Sequence, residues 1–205
     1  MALVLAVFLG GLMAEAVQAR TLRVVALGDS LTAGFGLGPS ESFPAVLQRE
    51  LRARGLDVEV VNFGVSGDTT AGGVARVGAA LAARPDALIL ELGANDGLRG
   101  FDPALVRANL ERILAECRKA GVPVLLAGMR ALLGMGKRYG DEFAAVFADL
   151  ARAQGLAFYP FFLEGVAGDP ALNLPDGLHP NARGVEEIVR RMLPVVEAFL
   201  KGAPA

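Results

Sequence analysis

The sequence predicts an α/β fold: one parallel sheet of about five strands between two helical layers, a three-layer α/β/α sandwich. Short apolar segments recur along the chain, and amphipathic stretches of helical length separate them. The apolar segments are continuous rather than alternating, as suits strands covered on both faces. Regular strand–helix alternation implies right-handed crossovers and hence parallel neighbours.

Strands are expected over residues 22–27, 58–63, 87–92 and 122–127, with a weaker fifth over 156–158; Glu91 is the polar exception in the third. Helices are expected over 43–54, 70–82, 103–120 and 138–153. The third of these has the clearest signals. Asp102 is positioned to cap it, and Pro103 fits its first turn, where a missing N–H costs nothing. Leu105, Leu110, Ile113, Leu114 and Cys117 mark one face, and Gly121 ends it. A last helix over 182–200 carries Val185, Ile188, Val189, Met192, Val196 and Phe199 on its apolar side. Pro194 is expected to kink or divide it.

With 205 residues, 53% of them hydrophobic, the chain is long enough for one cored domain and short for two. That apolar share excludes a mainly disordered chain. The 20 basic and 22 acidic side chains leave a net charge of −2 and are dispersed, which gives no electrostatic reason to expect nucleic acid as a partner. Cys117 is the single cysteine, so no intrachain disulfide or structural zinc cluster can form, and it reads as core.

Residues 1–12 are nearly all apolar, and Val17-Gln18-Ala19 puts small residues where a signal peptidase cuts, before Arg20. The apolar run is shorter than the ~20 residues of a membrane span, and Glu15 interrupts its end. A basic n-region is missing, so a retained anchor or an ordinary first helix stays open. Residues 1–19 are expected to be a cleaved signal peptide and 20–205 a single domain, periplasmic or secreted, without a stable membrane span.

Parallel strands bring their C-terminal loops to one edge of the sheet, where such folds carry their chemistry. The first strand delivers Gly28-Asp29-Ser30-Leu31-Thr32-Ala33-Gly34, the second Gly64-Val65-Ser66-Gly67-Asp68, the third Gly93-Ala94-Asn95-Asp96. Near the end of the chain, Asp176-Gly177-Leu178-His179 sets a carboxylate three residues before an imidazole. That spacing lets Asp176 hold one ring nitrogen and leaves the other for a nucleophile, the division of labour in a serine triad. His179 is the only histidine, so any serine–histidine mechanism must use it, with Ser30 as the candidate nucleophile. The oxyanion formed by attack on a carbonyl needs N–H donors. The backbone N–H of Ser30, that of Gly64 and the Asn95 amide are the candidates, Gly64 because a residue without Cβ admits close approach.

Each motif also has a plainer reading: Gly28-Asp29-Ser30 as a capped turn, Asp176 and His179 as a solvated pair, Asn181 as a helix cap, Asp68 and Asp96 as loop braces. No G-x-x-x-x-G-K-[ST], G-x-G-x-x-G or G-x-S-x-G pattern occurs at the expected places, which argues against nucleotide sites and the α/β-hydrolase elbow.

Taken together, Gly28-Asp29-Ser30-Leu31, Gly64, Gly93-x-Asn95-Asp96 and Asp176-x-x-His179 resemble the four blocks of the SGNH, or GDSL-type, hydrolases. The longer stretches Glu91-Leu92-Gly93-Ala94-Asn95-Asp96-Gly97-Leu98-Arg99-Gly100 and Leu174-Pro175-Asp176-Gly177-Leu178-His179-Pro180-Asn181 look like the branch of acyl-CoA thioesterase I, lysophospholipase L1 and arylesterase. The resemblance implies a flavodoxin-like sandwich with Ser30, Asp176 and His179 as triad and Ser30, Gly64 and Asn95 as oxyanion hole. It further implies a serine carboxylic-ester hydrolase with thioesterase activity, working through an acyl-serine on small acyl esters or thioesters. Acyl-CoA thioesterase or lysophospholipase as the main activity is the alternative. A non-catalytic acyl-binding protein would be marked by a broken triad, and every member is here. No metal or cofactor is called for, and a monomer or weak homo-oligomer is expected.

One segment departs from that branch. Where it has a loop resembling Pro-Pro-Asn after the fourth strand, this chain has Met129-Arg130-Ala131-Leu132-Leu133-Gly134-Met135. In the family this loop borders the acyl pocket, so Leu132, Leu133 and Met135 are expected to bind substrate, with core packing by the two leucines as the alternative.

Overall fold

The computed structural model describes residues 20–131 and 134–202. The expected signal peptide and the expected substrate contacts Leu132 and Leu133 lie outside the described residues. Five strands form one sheet: β1 Leu22–Gly28, β2 Val58–Gly64, β3 Ala87–Glu91, β4 Val124–Ala127 and β5 Ala157–Tyr159. Every adjacent pair is parallel, in the order β2-β1-β3-β4-β5.

The helices are α1 Ser30–Ala33, α2 Phe43–Ala53, α3 Thr70–Ala82, α4 Ala94–Leu98, α5 Pro103–Lys119, α6 Lys137–Gln154 and α7 Ala182–Lys201. Right-handed crossovers dictate their sides. The chain moves one way from β1 to β2 and the opposite way through β3, β4 and β5. Helix α2 therefore covers one face, and α3, α5 and α6 the other. The packing agrees: α2 lies against α7, and α5 lies against both α3 and α6.

The core is the sheet plus the apolar face of each long helix. Residues of β3 and β4 are buried throughout, and α5 buries Val106, Leu110, Ile113, Leu114 and Cys117. Burial pushes the Cys117 thiol up to about 11, so it packs as an inert apolar group. The expected caps are present: Asp102 accepts from the Ala104 N–H at 2.8 Å and Asn181 from the Gly184 N–H at 3.0 Å. Pro194 does not divide α7, which runs unbroken through it. One intrahelical hydrogen bond is lost there, but Met192, Leu193, Val196 and Leu200 are all buried around it and keep the helix together.

At the C-terminal edge the sheet order changes direction beside β1, which has β2 on one side and β3 on the other. Ligands of open α/β sheets bind in the crevice at such a switch point. Ser30 follows β1 there, and Asn95 follows β3.

Candidate active site

The turn after β1 is built by three residues with separate duties. At Gly28 a Cβ would fall 2.0 Å from Thr32 Oγ1 and 2.7 Å from the Glu91 carbonyl oxygen, so only glycine lets α1 fold back onto the strand end. Asp29 caps α1, accepting from the Leu31 N–H at 2.9 Å. Ser30 then opens the helix with its hydroxyl at the edge of the sheet; the residue is 7% exposed. Its backbone N–H makes no protein hydrogen bond among the described residues.

The Ser30 hydroxyl lies 2.9 Å from His179 Nε2, and His179 Nδ1 lies 2.7 Å from Asp176 Oδ2. The other Asp176 oxygen accepts from the N–H groups of His179 at 3.0 Å and Leu178 at 2.9 Å. Donation by the His179 N–H does most to hold the Asp176 carboxyl down at about 2, with the Leu178 N–H and the imidazole adding to it. Asp176 thus stays an acceptor through the neutral range, and Nδ1 is the ring nitrogen that carries a proton toward it. Phe35 covers the imidazole from one side, ring centroids 4.4 Å apart.

Asn95 stands in α4, whose start Gly93 takes φ +120° where a Cβ would meet Phe147 at 2.8 Å. The buried Asp96 carboxylate anchors that helix, accepting from the Thr70 N–H at 2.9 Å and the Thr70 hydroxyl at 2.7 Å. One N–H of the Asn95 amide donates to Asp29 Oδ2 at 3.2 Å, which leaves its second N–H uncommitted. Asp29 is fully buried, and that burial pushes its carboxyl up to about 6, although the Leu31 N–H and the Asn95 amide work against it.

Ser30, Asn95 and His179 line one cavity. Leu31, Ala94, Leu98, Met129, Leu163 and Leu178 make its apolar wall, and Arg130 stands at its side with its guanidinium 4.5 Å above the Phe161 ring.

Two expected site residues are placed elsewhere. The Gly64 N–H donates to Asn62 Oδ1 at 2.9 Å, and a Cβ there would lie 2.2 Å from the Ala33 backbone nitrogen. Its missing side chain makes room for α1, not for a reacting carbonyl. Met135 is 47% exposed and lines a separate depression with Ala131, Gly134, Lys137 and Gly140. Sequence reasoning passed over Gly67, which takes φ +80°. Its N–H makes no protein hydrogen bond among the described residues, while Arg99, just after α4, binds its carbonyl at 3.1 Å. A glycine three residues beyond the strand end, inside Ser66-Gly67-Asp68, was the available signal.

A model of the GDSL-like lipase/acylhydrolase family matches residues 26–186. The chain belongs to that family. It is 40% identical over 190 residues to a protein of Pseudomonas aeruginosa described as esterase TesA, covering 92% of this chain and 94% of that one. It is 41% identical over 159 residues to an arylesterase of Vibrio mimicus, covering 77% and 80%. The crystal structure of AlinE4, an SGNH-hydrolase family esterase, superposes with a TM-score of 0.74 at 44% identity, over 91% of this chain and 99% of that one. The GDSL-family chain described here is accordingly a serine hydrolase of esters. Of the expected flavodoxin-like sandwich, the parallel five-stranded sheet with flanking helices is found, and the solved relative assigns it to the SGNH type.

Proposed function

We propose that the chain is an esterase of arylesterase type with thioesterase activity, in which Ser30 attacks the acyl carbonyl and is transiently acylated. The observation that carries this reading is the unbroken chain Ser30 Oγ, His179, Asp176, with links of 2.9 and 2.7 Å, opening on an apolar cavity. His179 Nε2 takes the hydroxyl proton as the Oγ–carbon bond forms, and returns it to the leaving alcohol or thiol. A water molecule then repeats the sequence on the acyl-serine. Asp176 stabilises the imidazolium and fixes the tautomer.

The Ser30 N–H and the free N–H of the Asn95 amide are the donors for the oxyanion. We assign the third to Gly67 rather than Gly64, because the Gly64 N–H is already spent on Asn62. The apolar wall suits the acyl chain, which is why small acyl esters and thioesters are the proposed substrates. Turnover by purified protein of p-nitrophenyl esters of increasing chain length, an acyl-CoA and a lysophospholipid tests the assignment. Hydrolysis of the aryl esters with slower turnover of the thioester is expected; an enzyme active on the lysophospholipid alone would reverse the order proposed.

We also propose export with cleavage after Ala19, supported by the apolar run and Val17-x-Ala19. The mature protein is expected to begin at Arg20 when the N-terminus is sequenced, and an exported protein retaining Met1 would contradict this. Among the described residues no helix is long and apolar enough to cross a membrane.

A further inference from the structure

Strand β3 ends on a carboxyl group that the reaction does not use. Glu91 is 1% exposed and is paired in register with Gly28 of β1. Its Oε2 accepts from the Thr32 hydroxyl at 2.7 Å, while its Oε1 has no hydrogen-bond partner among the described residues. Thr32, itself fully buried, reaches Glu91 through the space that Gly28 leaves by lacking a Cβ. The interlock therefore runs from the end of β3, through Thr32, into the single helical turn that Ser30 begins.

Beside it lies Asp29, also buried, whose two oxygens are occupied by the Leu31 N–H and the Asn95 amide. If both carboxyls were ionised, two neighbouring charges would sit in the core with one oxygen bare, which is costly. Unequal partners resolve this. Asp29 has a donor on each oxygen, whereas Glu91 Oε1 has none, so the charge belongs on Asp29 although the backbone N–H groups of Asp29 and Thr32 also favour an ionised Glu91.

We propose that Glu91 is a positioning residue, held as a neutral carboxylic acid beneath α1, where it fixes Thr32 and through it the Ser30 hydroxyl. The proposal rests on Ser30 being the nucleophile. Burial, and then the charge of Asp29, push Glu91 well above the ordinary carboxylate range. The other ionisable groups around the pair are Asp68 from the loop before α3, Arg76 from α3 and His179 from the loop before α7. Arg76 binds Asp68 at 2.7 Å and the Gly28 carbonyl at 3.0 Å. The register neighbour of Glu91 in β4 is Ala127, which adds no charge.

The test uses the purified protein with Glu91→Gln and Glu91→Ala, measuring kcat, KM and the melting temperature across pH. A carboxyl whose folded pKa lies above its unfolded value binds a proton on folding. The native protein therefore loses stability as pH rises from the ordinary carboxylate range toward that raised value. The amide of Glu91→Gln has no such dependence. Its melting temperature relative to the native protein is expected to climb steadily as pH rises above the ordinary carboxylate range. Its kcat is expected within about threefold of native, whereas Glu91→Ala loses about tenfold or more in kcat at unchanged KM.

A flat stability difference across pH, or a Glu91→Gln enzyme as slow as Glu91→Ala, would overturn the proposal. If Glu91→Ala does not fold, the Gln variant decides alone. Ser30→Ala, assayed alongside, separates the two readings. Turnover surviving in it would remove the nucleophile, while the pH series would still report the protonation of Glu91.

Discussion

Ser30 and Asn95 stand at strand ends packed in buried contacts, whereas Asp176 and His179 stand on a solvent-facing turn before α7. On the first side Asp29, Thr32, Glu91 and Asp96 are all within 1% of full burial, and each holds a neighbouring element. On the second, the Asp176 side chain is 37% exposed and that of His179 21%. The turn there is secured by the Leu174 N–H on the His179 carbonyl at 2.7 Å and by Asn181, whose amide reaches the carbonyls of Ala171 and Asn173. Ser30 and Asn95, the proposed nucleophile and oxyanion donor, thus take their precision from the sheet. His179, the proposed base, takes its own from a short hydrogen-bonded loop, and water can reach it.

That contrast makes the exposed side tolerant in folding and intolerant in chemistry. His179→Ala is expected to keep the far-ultraviolet circular dichroism of the native protein and to lose about 10⁴-fold or more in kcat. A folded variant with substantial turnover would end the division of roles. Asp176→Asn comes next, at about 10³–10⁴ in kcat, because among the described residues no other side chain is hydrogen-bonded to Nδ1. Steady-state rates for Asp176→Asn and Asp29→Asn side by side check this. Greater damage to kcat at Asp29 would move the orienting carboxylate to the buried side.

On the sheet side, Asn95→Ala is expected to lower kcat by about 10²–10³ with little change in KM, since an oxyanion donor acts only as charge develops. A variant that melts earlier but keeps more than about a tenth of its kcat would make Asn95 a loop brace. The smallest effect is expected at Asn181→Ala. Losing the α7 cap should cost about 1 kcal/mol of stability, read as a lower melting temperature. A few-fold rise in KM without loss of fold is the kinetic mark of a loosened base loop, and an unchanged KM would show that the loop holds without it.

Much of this architecture is written in the chain because its strands are covered on both faces. Runs such as Val124–Ala127, and Ala87–Glu91 apart from its final Glu91, are apolar, and the long helices carry a buried stripe, so type and order follow directly. Helices α1 and α4, of four and five residues, are too short for any 3.6-residue period and read as loops. The contacts among Ser30, His179 and Asp176 were legible because a single histidine leaves no choice and Asp176 is near in sequence. Gly64 was misread because a glycine required by a neighbouring backbone looks, in sequence, like a glycine required by a ligand. The Ala33 nitrogen that excludes its Cβ lies 31 positions away, by the difference of the two residue numbers. Met135 was assigned to the cavity from its loop, and nothing in a loop sequence says which way a methionine turns.

Acylation of one side chain, Ser30, is the step on which the proposed reaction depends. Mixing the protein with excess p-nitrophenyl ester, or with an organophosphonate, and mapping the modified peptide by mass spectrometry tests it most directly. One acyl or phosphonyl group per chain is expected, on Ser30, absent from Ser30→Ala and slowed by His179→Ala. An adduct on another residue, or full adduct formation in Ser30→Ala, would contradict it.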